Sequence, residues 1–378
     1  MSISRRIATI SLAVCLAAGL GTLAGQEQGP QNEGSATVAR PRNSTPPDQP
    51  AEGPKIPSKF DKKDMPPEGT PSFKSNVTAV TVDVAVLDNK GNFIPNLARG
   101  YFRVLEDGVP QQVTNFSIGE APMTVALVVE FSNRWQGFYT QTWYDTLQAS
   151  WGFVSTLKQE DYLAIISYAM KSEILCDFTQ DKREAMEALR TLQFPSWSEC
   201  NLYDALADTA QRMSGIEGRK AIVVITSGED TFSKLTFDKT RKILQNAGVP
   251  IYAIGIGQDI RMWLEGQVSG PREMDWLFAD NALKTFASET GGRAFLPRFQ
   301  GELPGIFQSI AQALRNQYSI VYNPSNQARD GSFRKIKVEL IDPASGTKAE
   351  PLKIVENGKP IKYLIIAKAG YTAAREVE

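Results

Sequence analysis

The sequence contains no histidine among its 378 residues. This absence excludes Ser-His-Asp and Cys-His nucleophile pairs, HExxH zinc sites and any imidazole general base. The glycine-rich strings GxxxxGK[ST] and GxGxxG, which bind phosphate, are also missing, and so is the GxSxG nucleophile turn. We therefore expect a protein that is not an enzyme and that has no small-molecule substrate.

Excess charge of either sign is also missing, because 41 Lys and Arg residues face 42 Asp and Glu residues and leave a formal net charge of −1. Bulk attraction to nucleic acid is therefore not expected. Cysteine is scarce, with three residues in the chain, of which Cys15 lies in the amino-terminal segment. For Cys176 and Cys200, a disulfide and two separately buried thiols are both compatible with the sequence.

The amino terminus has the layout of a secretory signal peptide. Arg5 and Arg6 precede an apolar run from Ile7 to about Ala24 that is rich in small residues. We predict a signal peptide over residues 1–25 and a secreted, periplasmic or envelope-associated location. The alternative is an uncleaved anchor, which would be the only membrane contact. Residues 26–72 are crowded with Pro, Gly and charged residues and predict a disordered linker.

The rest of the chain changes its periodicity twice. Residues 73–120 alternate apolar and polar positions around Gly-containing turns, which predicts antiparallel strands. Residues 121–317 alternate apolar strands such as MTVALVVEFS with amphipathic helices, which predicts a doubly wound, mostly parallel α/β sheet. Residues 318–378 return to short alternating strands. We predict that they pack with residues 73–120 as an antiparallel β-sandwich flanking the α/β domain.

Several strings in this order resemble the von Willebrand factor type A (VWA) domain, and more closely its diverged form in secreted bacterial proteins. They are VALVVEFSN, NLYDAL, AIVVITSGEDT and VPIYAIGIG, with GYFRVLEDGVPQQVTNFS and GSFRKIKVEL as flanks. The resemblance implies a Rossmann-like fold that binds protein partners through a metal-ion-dependent adhesion site. In that site an Asp-x-Ser-x-Ser turn, a Thr and a second Asp hold Mg²⁺ or Mn²⁺, and an acidic group of the partner completes the shell.

Residue by residue, this chain departs from that ligand set. The Asp-x-Ser-x-Ser turn falls on Glu130, Ser132 and Arg134, so that only the first Ser is kept. The Thr position is Cys200, and the second Asp position is Ser227. Because Mg²⁺ tolerates little error in its octahedral shell, and because Arg134 adds a cation, we predict a degenerate site and no cofactor.

Weak Mg²⁺ or Mn²⁺ binding through Glu130, Ser132 and Asp230 is the alternative to a metal-free site. For Arg134 two hypotheses stay open: its guanidinium replaces the metal by pairing with Glu130 and meeting an acidic partner group, or it points into solvent. If the loops approach one another, a disulfide between Cys176 and Cys200 would lock the site.

Aromatic side chains flank the degenerate site in the sequence. Phe131 and Trp135 follow the first strand of the α/β region, and Trp197 lies near Cys200. With Arg134 they are the candidates for partner binding by burial. The sequence thus predicts a non-enzymatic, secreted or envelope-associated interaction module with a protein partner of unknown identity. The alternative is a structural scaffold or assembly component of an envelope complex.

Overall fold

The computed structural model describes residues 79–133, 139–193, 197–264, 270–356 and 358–375. The predicted signal peptide and linker lie outside these residues, as do Arg134 and Trp135. Within the described ranges, no helix is both long enough and apolar enough to cross a membrane.

The strands of the described chain are β1 (Val80–Asp88), β2 (Phe102–Glu106), β3 (Val109–Gln111), β4 (Val113–Glu120), β5 (Met123–Glu130), β6 (Tyr162–Tyr168), β7 (Ser172–Thr179), β8 (Arg219–Thr226), β9 (Ile251–Gly255), β10 (Arg293–Phe295), β11 (Asn316–Tyr322), β12 (Phe333–Leu340), β13 (Ile354–Glu356), β14 (Lys359–Ile361), β15 (Tyr363–Ala367) and β16 (Gly370–Thr372). The helices are α1 (Tyr139–Thr156), α2 (Lys182–Arg190), α3 (Leu202–Ser214), α4 (Phe237–Ala247), α5 (Gln258–Leu264), α6 (Pro271–Thr290) and α7 (Leu303–Arg315).

A six-stranded sheet in the order β10-β9-β8-β5-β6-β7 forms the centre of the α/β domain. Every neighbouring pair is parallel except β6 and β7, which pair antiparallel at one edge. All eight residues of β5 are buried, as expected for a continuous apolar strand covered on both faces. This sheet confirms the predicted fold class.

Helices cover the two faces of this sheet in groups of three. On one face α1, α2 and α7 pack through apolar side chains that include Phe153, Leu189 and Phe307. On the other face α3, α4 and α6 pack through Leu206, Leu244 and Phe286. Local signals set the helix ends; for example, the Thr236 hydroxyl accepts from the backbone N–H of Lys239 at the start of α4.

The order of the strands creates a crevice at one end of the central strands. From β5 the chain passes through α1 to β6 on one side, and it later reaches β8 on the other side of β5. Helices leaving neighbouring strands in opposite directions leave a gap at the carboxyl ends of those strands, where α/β sheets bind ligands. The carboxyl ends of β5, β6 and β8 are therefore the place to look for a site.

The strands before and after the α/β domain pair with one another. One antiparallel sheet has the order β15-β1-β11-β4 and the other has the order β16-β12-β2-β3. Val82, Val104, Ile320 and Val338 are among the buried residues of their common core. These antiparallel segments match the sandwich that the alternating sequence predicts.

The sandwich also encloses a buried charge pair. Glu106 and Arg334 are each 2 % exposed, and a nitrogen of the Arg334 guanidinium lies 3.7 Å from Oε1 of Glu106. The other carboxylate oxygen accepts hydrogen bonds from the hydroxyls of Tyr322 at 2.7 Å and Tyr371 at 3.1 Å.

Candidate functional site

Three neighbouring parallel strands end on polar residues at the crevice. Glu130 is the last residue of β5, Tyr168 the last of β6 and Thr226 the last of β8, and Ser227 follows Thr226 directly. The parallel register places Glu130 opposite Tyr168. All four residues are at most 5 % exposed. A carboxylate is thus buried at the strand ends and must find its stabilising partners within the protein.

Hydrogen-bond donors surround the Glu130 carboxylate. Its Oε1 accepts from the hydroxyls of Ser132 at 2.6 Å and Ser227 at 3.1 Å, with the Cys200 thiol at 3.4 Å. Its Oε2 accepts from the Thr226 hydroxyl at 2.9 Å and from the backbone N–H of Ser227 at 2.7 Å. Both oxygens of the carboxylate therefore have hydrogen-bond donors among the described residues.

The shortest distances assign the hydroxyl protons around Oε2. The Tyr168 hydroxyl lies 2.6 Å from the Thr226 hydroxyl and 3.2 Å from the carboxylate, so its proton goes to Thr226. Thr226, which also accepts from the backbone N–H of Gly228 at 2.8 Å, then donates its own proton to Glu130. Burial first, and then the Glu130 charge, hold the pKa of Tyr168 well above its usual value, so that this tyrosine stays a donor.

Cys200 connects the network to the loop after β8. Its backbone N–H donates to the Thr231 hydroxyl at 2.9 Å, and its carbonyl accepts from the N–H groups of Thr231 and Phe232 at 2.9 and 2.8 Å. The residue in the Thr position of the family therefore holds the loop in place mainly through its backbone.

A buried arginine supports the same loop from behind. Arg261 of α5 is 5 % exposed and donates one N–H to the Ser227 carbonyl at 2.5 Å and another to Asp280 at 2.8 Å. Its guanidinium carbon lies 5.7 Å from the centre of the Trp276 ring. The position of Ser227 is thus fixed from both sides.

Asp230 is not part of this network. Its carboxylate accepts from the backbone N–H of Tyr203 at 3.1 Å and from the Ser233 hydroxyl at 2.5 Å, so it caps the start of α3. Burial raises the pKa of Asp230, and its hydrogen bonds with Ser233 and Tyr203 oppose that rise. Its position does not support the predicted role beside Glu130.

The residues at the crevice offer few charged ligands for a divalent cation of the family's kind. A hard cation needs several oxygen lone pairs, and the hydroxyls of Ser132, Thr226 and Ser227, which here donate to Glu130, would have to rotate to supply them. Within the described ranges, no group of three or more His, Cys, Asp and Glu side chains is placed to hold a metal.

The disulfide between Cys176 and Cys200 is not present, and both residues are free buried thiols. Cys176 belongs to the apolar cluster on one face of the central sheet, and Cys200 belongs to the cluster on the other face. The sheet therefore separates the two sulfur atoms, and the alternative of two buried thiols is the correct one. Burial is the main cause that raises the pKa of Cys176, to about 11.

An open groove of about 430 Å³ lies beside the network. Its lining includes Phe131, Tyr168, Met170, Lys171, Glu173 and Trp197. Trp197 is 56 % exposed, whereas Phe131 is partly buried against the core. The strand-end residues are tied to the groove by backbone hydrogen bonds, from Phe131 N–H to the Tyr168 carbonyl at 2.7 Å and from Asn133 N–H to the Trp197 carbonyl at 2.6 Å.

Of the site residues predicted from the sequence, Glu130, Ser132, Cys200 and Ser227 come together. Arg134 and Trp135 lie outside the described residues. Sequence reasoning missed Tyr168, Thr226 and Arg261. A signal for the first two exists, because each is the last residue of a buried parallel strand next to β5. Arg261 carries no such signal, since α5 follows a loop.

A sequence model of the von Willebrand factor type A domain matches residues 125–290. No curated protein is significantly similar in sequence to the chain.

Several solved structures are similar to part of the chain. Proximal thread matrix protein 1 from the mussel byssus is 15 % identical, with 56 % of this chain and 51 % of that one covered and a TM-score of 0.43. The chain thus spans about half the length of the mussel protein. BatB from Bacteroides thetaiotaomicron is 16 % identical over 51 % of this chain and 98 % of its own, with a TM-score of 0.40. A von Willebrand factor type A protein from Catenulispora acidiphila is 13 % identical over 79 % and 75 %, with a TM-score of 0.39.

The family match begins within β5, ends at the last residue of α6 and includes every strand-end residue of the Glu130 network. Residues 125–290 of this chain therefore match the von Willebrand factor type A domain.

Proposed function

We propose that this protein is a non-enzymatic interaction module, secreted or associated with the cell envelope, that binds a protein partner at the carboxyl ends of β5, β6 and β8. In this proposal no metal ion bridges the module and its partner, because the adhesion site is degenerate.

The observation that carries the proposal is the donor shell of Glu130. In the family, the corresponding carboxylate is a metal ligand, whereas here the hydroxyls of Ser132, Thr226 and Ser227 and the backbone N–H of Ser227 occupy both of its oxygens. The shell stabilises the carboxylate by hydrogen bonds, so that its burial does not require a metal ion.

The groove beside the network supports binding by apolar burial. Trp197 is more than half exposed at the groove, next to Phe131, and exposed tryptophans are enriched at the energetic centres of protein interfaces. Lys171 and Glu173 at the same groove would supply polar contacts at its rim.

The same geometry argues against catalysis. Ser227 is 1 % exposed and donates its hydroxyl proton to Glu130, so a substrate has no access to this oxygen. The chain has no histidine to act as its base.

Thermal unfolding in Mg²⁺ or Mn²⁺ against EDTA tests metal independence, since an ion that binds only the folded protein raises Tm. We expect no saturable rise for the natural sequence at millimolar ion. The matched control restores the ligand types of the family through Glu130→Asp, Arg134→Ser, Cys200→Thr and Ser227→Asp, and this variant should gain a metal-dependent rise. A saturable rise in the natural sequence that Glu130→Ala abolishes would overturn the metal-free site.

Affinity capture in EDTA tests the binding surface. The mature protein, Trp197→Ala and Ile118→Ala are immobilised separately; Ile118 is a control because it is 51 % exposed on β4 of the sandwich. We expect the natural protein and Ile118→Ala to retain envelope or secreted proteins that Trp197→Ala does not retain. The opposite pattern, with loss on Ile118→Ala alone, would favour the scaffold function, in which the sandwich makes the contact.

A further inference from the structure

A second cavity lies at the amino-terminal end of the central strands, opposite to the end that carries Glu130. It has a volume of about 120 Å³ and sits where the amino-terminal ends of β8 and β9 meet the sandwich strands β1, β11 and β15. This volume exceeds the space that a single water molecule needs. Its charged lining consists of Arg219, Lys220, Lys368 and Asp83.

Two of the three cations lack a full set of partners. Arg219 donates one Nη to the Gly119 carbonyl, but its other Nη is buried without a hydrogen-bond partner. Among the described residues, nothing forms a hydrogen bond or ion pair with the Lys368 ammonium. Lys220 differs, because its ammonium donates to the carbonyls of Ser214 at 2.6 Å and Ile216 at 2.8 Å at the end of α3.

A tyrosine also lines this cavity. Tyr252 is 1 % exposed, and within the described structure no protein group forms a hydrogen bond with its hydroxyl. This hydroxyl is therefore available to donate to a group in the cavity.

The one carboxylate in the lining does not neutralise the cations. Asp83 is exposed on β1, and no ion pair joins it to Arg219 or Lys368 in the described chain. Burial lowers the pKa values of Arg219 and Lys368, and the Asp83 charge opposes this shift only in part. The cavity therefore holds positive charge that is partly desolvated and that Asp83 compensates only in part.

We propose that this cavity binds a small tetrahedral oxyanion of the phosphate or sulfate type. The three unpaired donors, from Arg219, Lys368 and Tyr252, belong to three different strands or strand ends. A tetrahedral oxyanion offers an oxygen to each of them, whereas a carboxylate offers only two oxygens. The arginine fork also matches the geometry of phosphate oxygens. The anion would join the VWA domain to the sandwich, since Lys368 follows β15.

Calorimetry and thermal unfolding of the whole protein with sodium phosphate, sodium sulfate and methyl phosphate test the proposal, with sodium chloride and sodium acetate at equal ionic strength as controls. We expect saturable binding and a rise in Tm with phosphate or sulfate only. Binding of methyl phosphate as well would identify a phosphorylated group as a further source of the anion. An equal rise with chloride or acetate, or no rise with any oxyanion, would overturn the proposal.

Variants separate a ligand site from a structural role. Lys368→Met should weaken phosphate binding about tenfold or more, because it removes a charged donor, and Tyr252→Phe should weaken it about fivefold. The control is Lys337→Met, which removes an equal charge from the sandwich surface, where Lys337 is 73 % exposed and pairs with Glu339; it should change nothing.

Stability measured without phosphate distinguishes a ligand-binding lysine from a structural one. In phosphate-free buffer Lys368→Met should be as stable as the natural protein or more stable, because an unpaired, partly desolvated cation is removed. A loss of Tm in both buffers, with the phosphate-dependent rise unchanged, would show a structural lysine and refute the proposal. If Lys368→Met does not fold, the same comparison with Tyr252→Phe decides.

Discussion

The protein buries two glutamates, Glu130 in the VWA domain and Glu106 in the sandwich, and it stabilises them by different means. Glu130 accepts hydrogen bonds from hydroxyls and a backbone N–H on both oxygens. Glu106 has Arg334 at 3.7 Å and two tyrosine hydroxyls on one oxygen, while its Oε1 has no hydrogen-bond partner.

The difference follows from the hydrogen-bond donors that surround each carboxylate. Arg334 donates N–H groups to the carbonyls of Asn326 and Ala328 and therefore holds the loop between β11 and β12. Its charge faces Glu106. At Glu130 the donors come from strand ends, whose backbone N–H groups and short hydroxyls already converge. Among the described residues, Glu106 thus has a cation and few donors, whereas Glu130 has neutral donors from several strand ends.

The largest effect is expected from Arg334→Met. Glu106 would keep its burial but lose its cation, and such a change costs about 3–5 kcal/mol. Urea unfolding measures the loss. The double variant Arg334→Met/Glu106→Gln should recover part of it, because no buried charge then remains unpaired. A loss below about 1 kcal/mol would show that Glu106 does not depend on the arginine.

Glu130→Gln should cost less, about 2–3 kcal/mol, because the hydroxyls of Ser132 and Ser227 can rotate to accept from the new amide. The backbone N–H of Ser227 cannot rotate, and it keeps the amide oxygen on its side. The same urea measurement applies, with Ser132→Ala as a variant that removes a single neutral donor. A cost equal to that of Arg334→Met would contradict the comparison.

Thr226→Val is expected to cost about 1–2 kcal/mol, since it leaves the Tyr168 hydroxyl and the Gly228 N–H without their acceptor and keeps the side-chain shape. Thr226→Ser retains the hydroxyl and serves as the control, with a smaller loss. If both variants were equally unstable, packing and not the hydrogen bonds would explain the effect of Thr226→Val.

The smallest effect is expected from reduction. On the chain from residue 26 onward, thiol reagents should titrate two cysteines after unfolding and react slowly in the native state, because both are buried and the pKa of Cys176 is about 11. A reductant should leave Tm unchanged. A titration of zero thiols in denaturant would reveal a disulfide and contradict the separation of the two cysteines by the sheet.

Much of the fold was predictable because it depends on periodicity. The six apolar residues of β5 and the alternation in β1 and β12 are visible in the sequence, and both predict the correct sheet type. The end of β9 was less visible, because the string VPIYAIGIG continues to Gly257, whereas the strand ends at Gly255 and α5 begins at Gln258.

The site was predictable only as far as the family pattern reached. That pattern brought Glu130, Ser132, Cys200 and Ser227 into one candidate set, but it also suggested Asp230, which caps α3 instead. The cysteine pairing could not be decided from the sequence either, because both thiols lie on buried elements and only the sheet places them on opposite faces.

The sequence by itself determined the succession of strands and helices and the replacement of the metal-ligand types at the strand ends, because these depend on local pattern and residue identity. Only the tertiary structure decided that Tyr168 and Thr226 complete the shell of Glu130, and that Arg219, Tyr252 and Lys368 share a cavity. The residues of each set are separated in the sequence by tens to more than a hundred positions. They meet only where the register of the sheets places their side chains together.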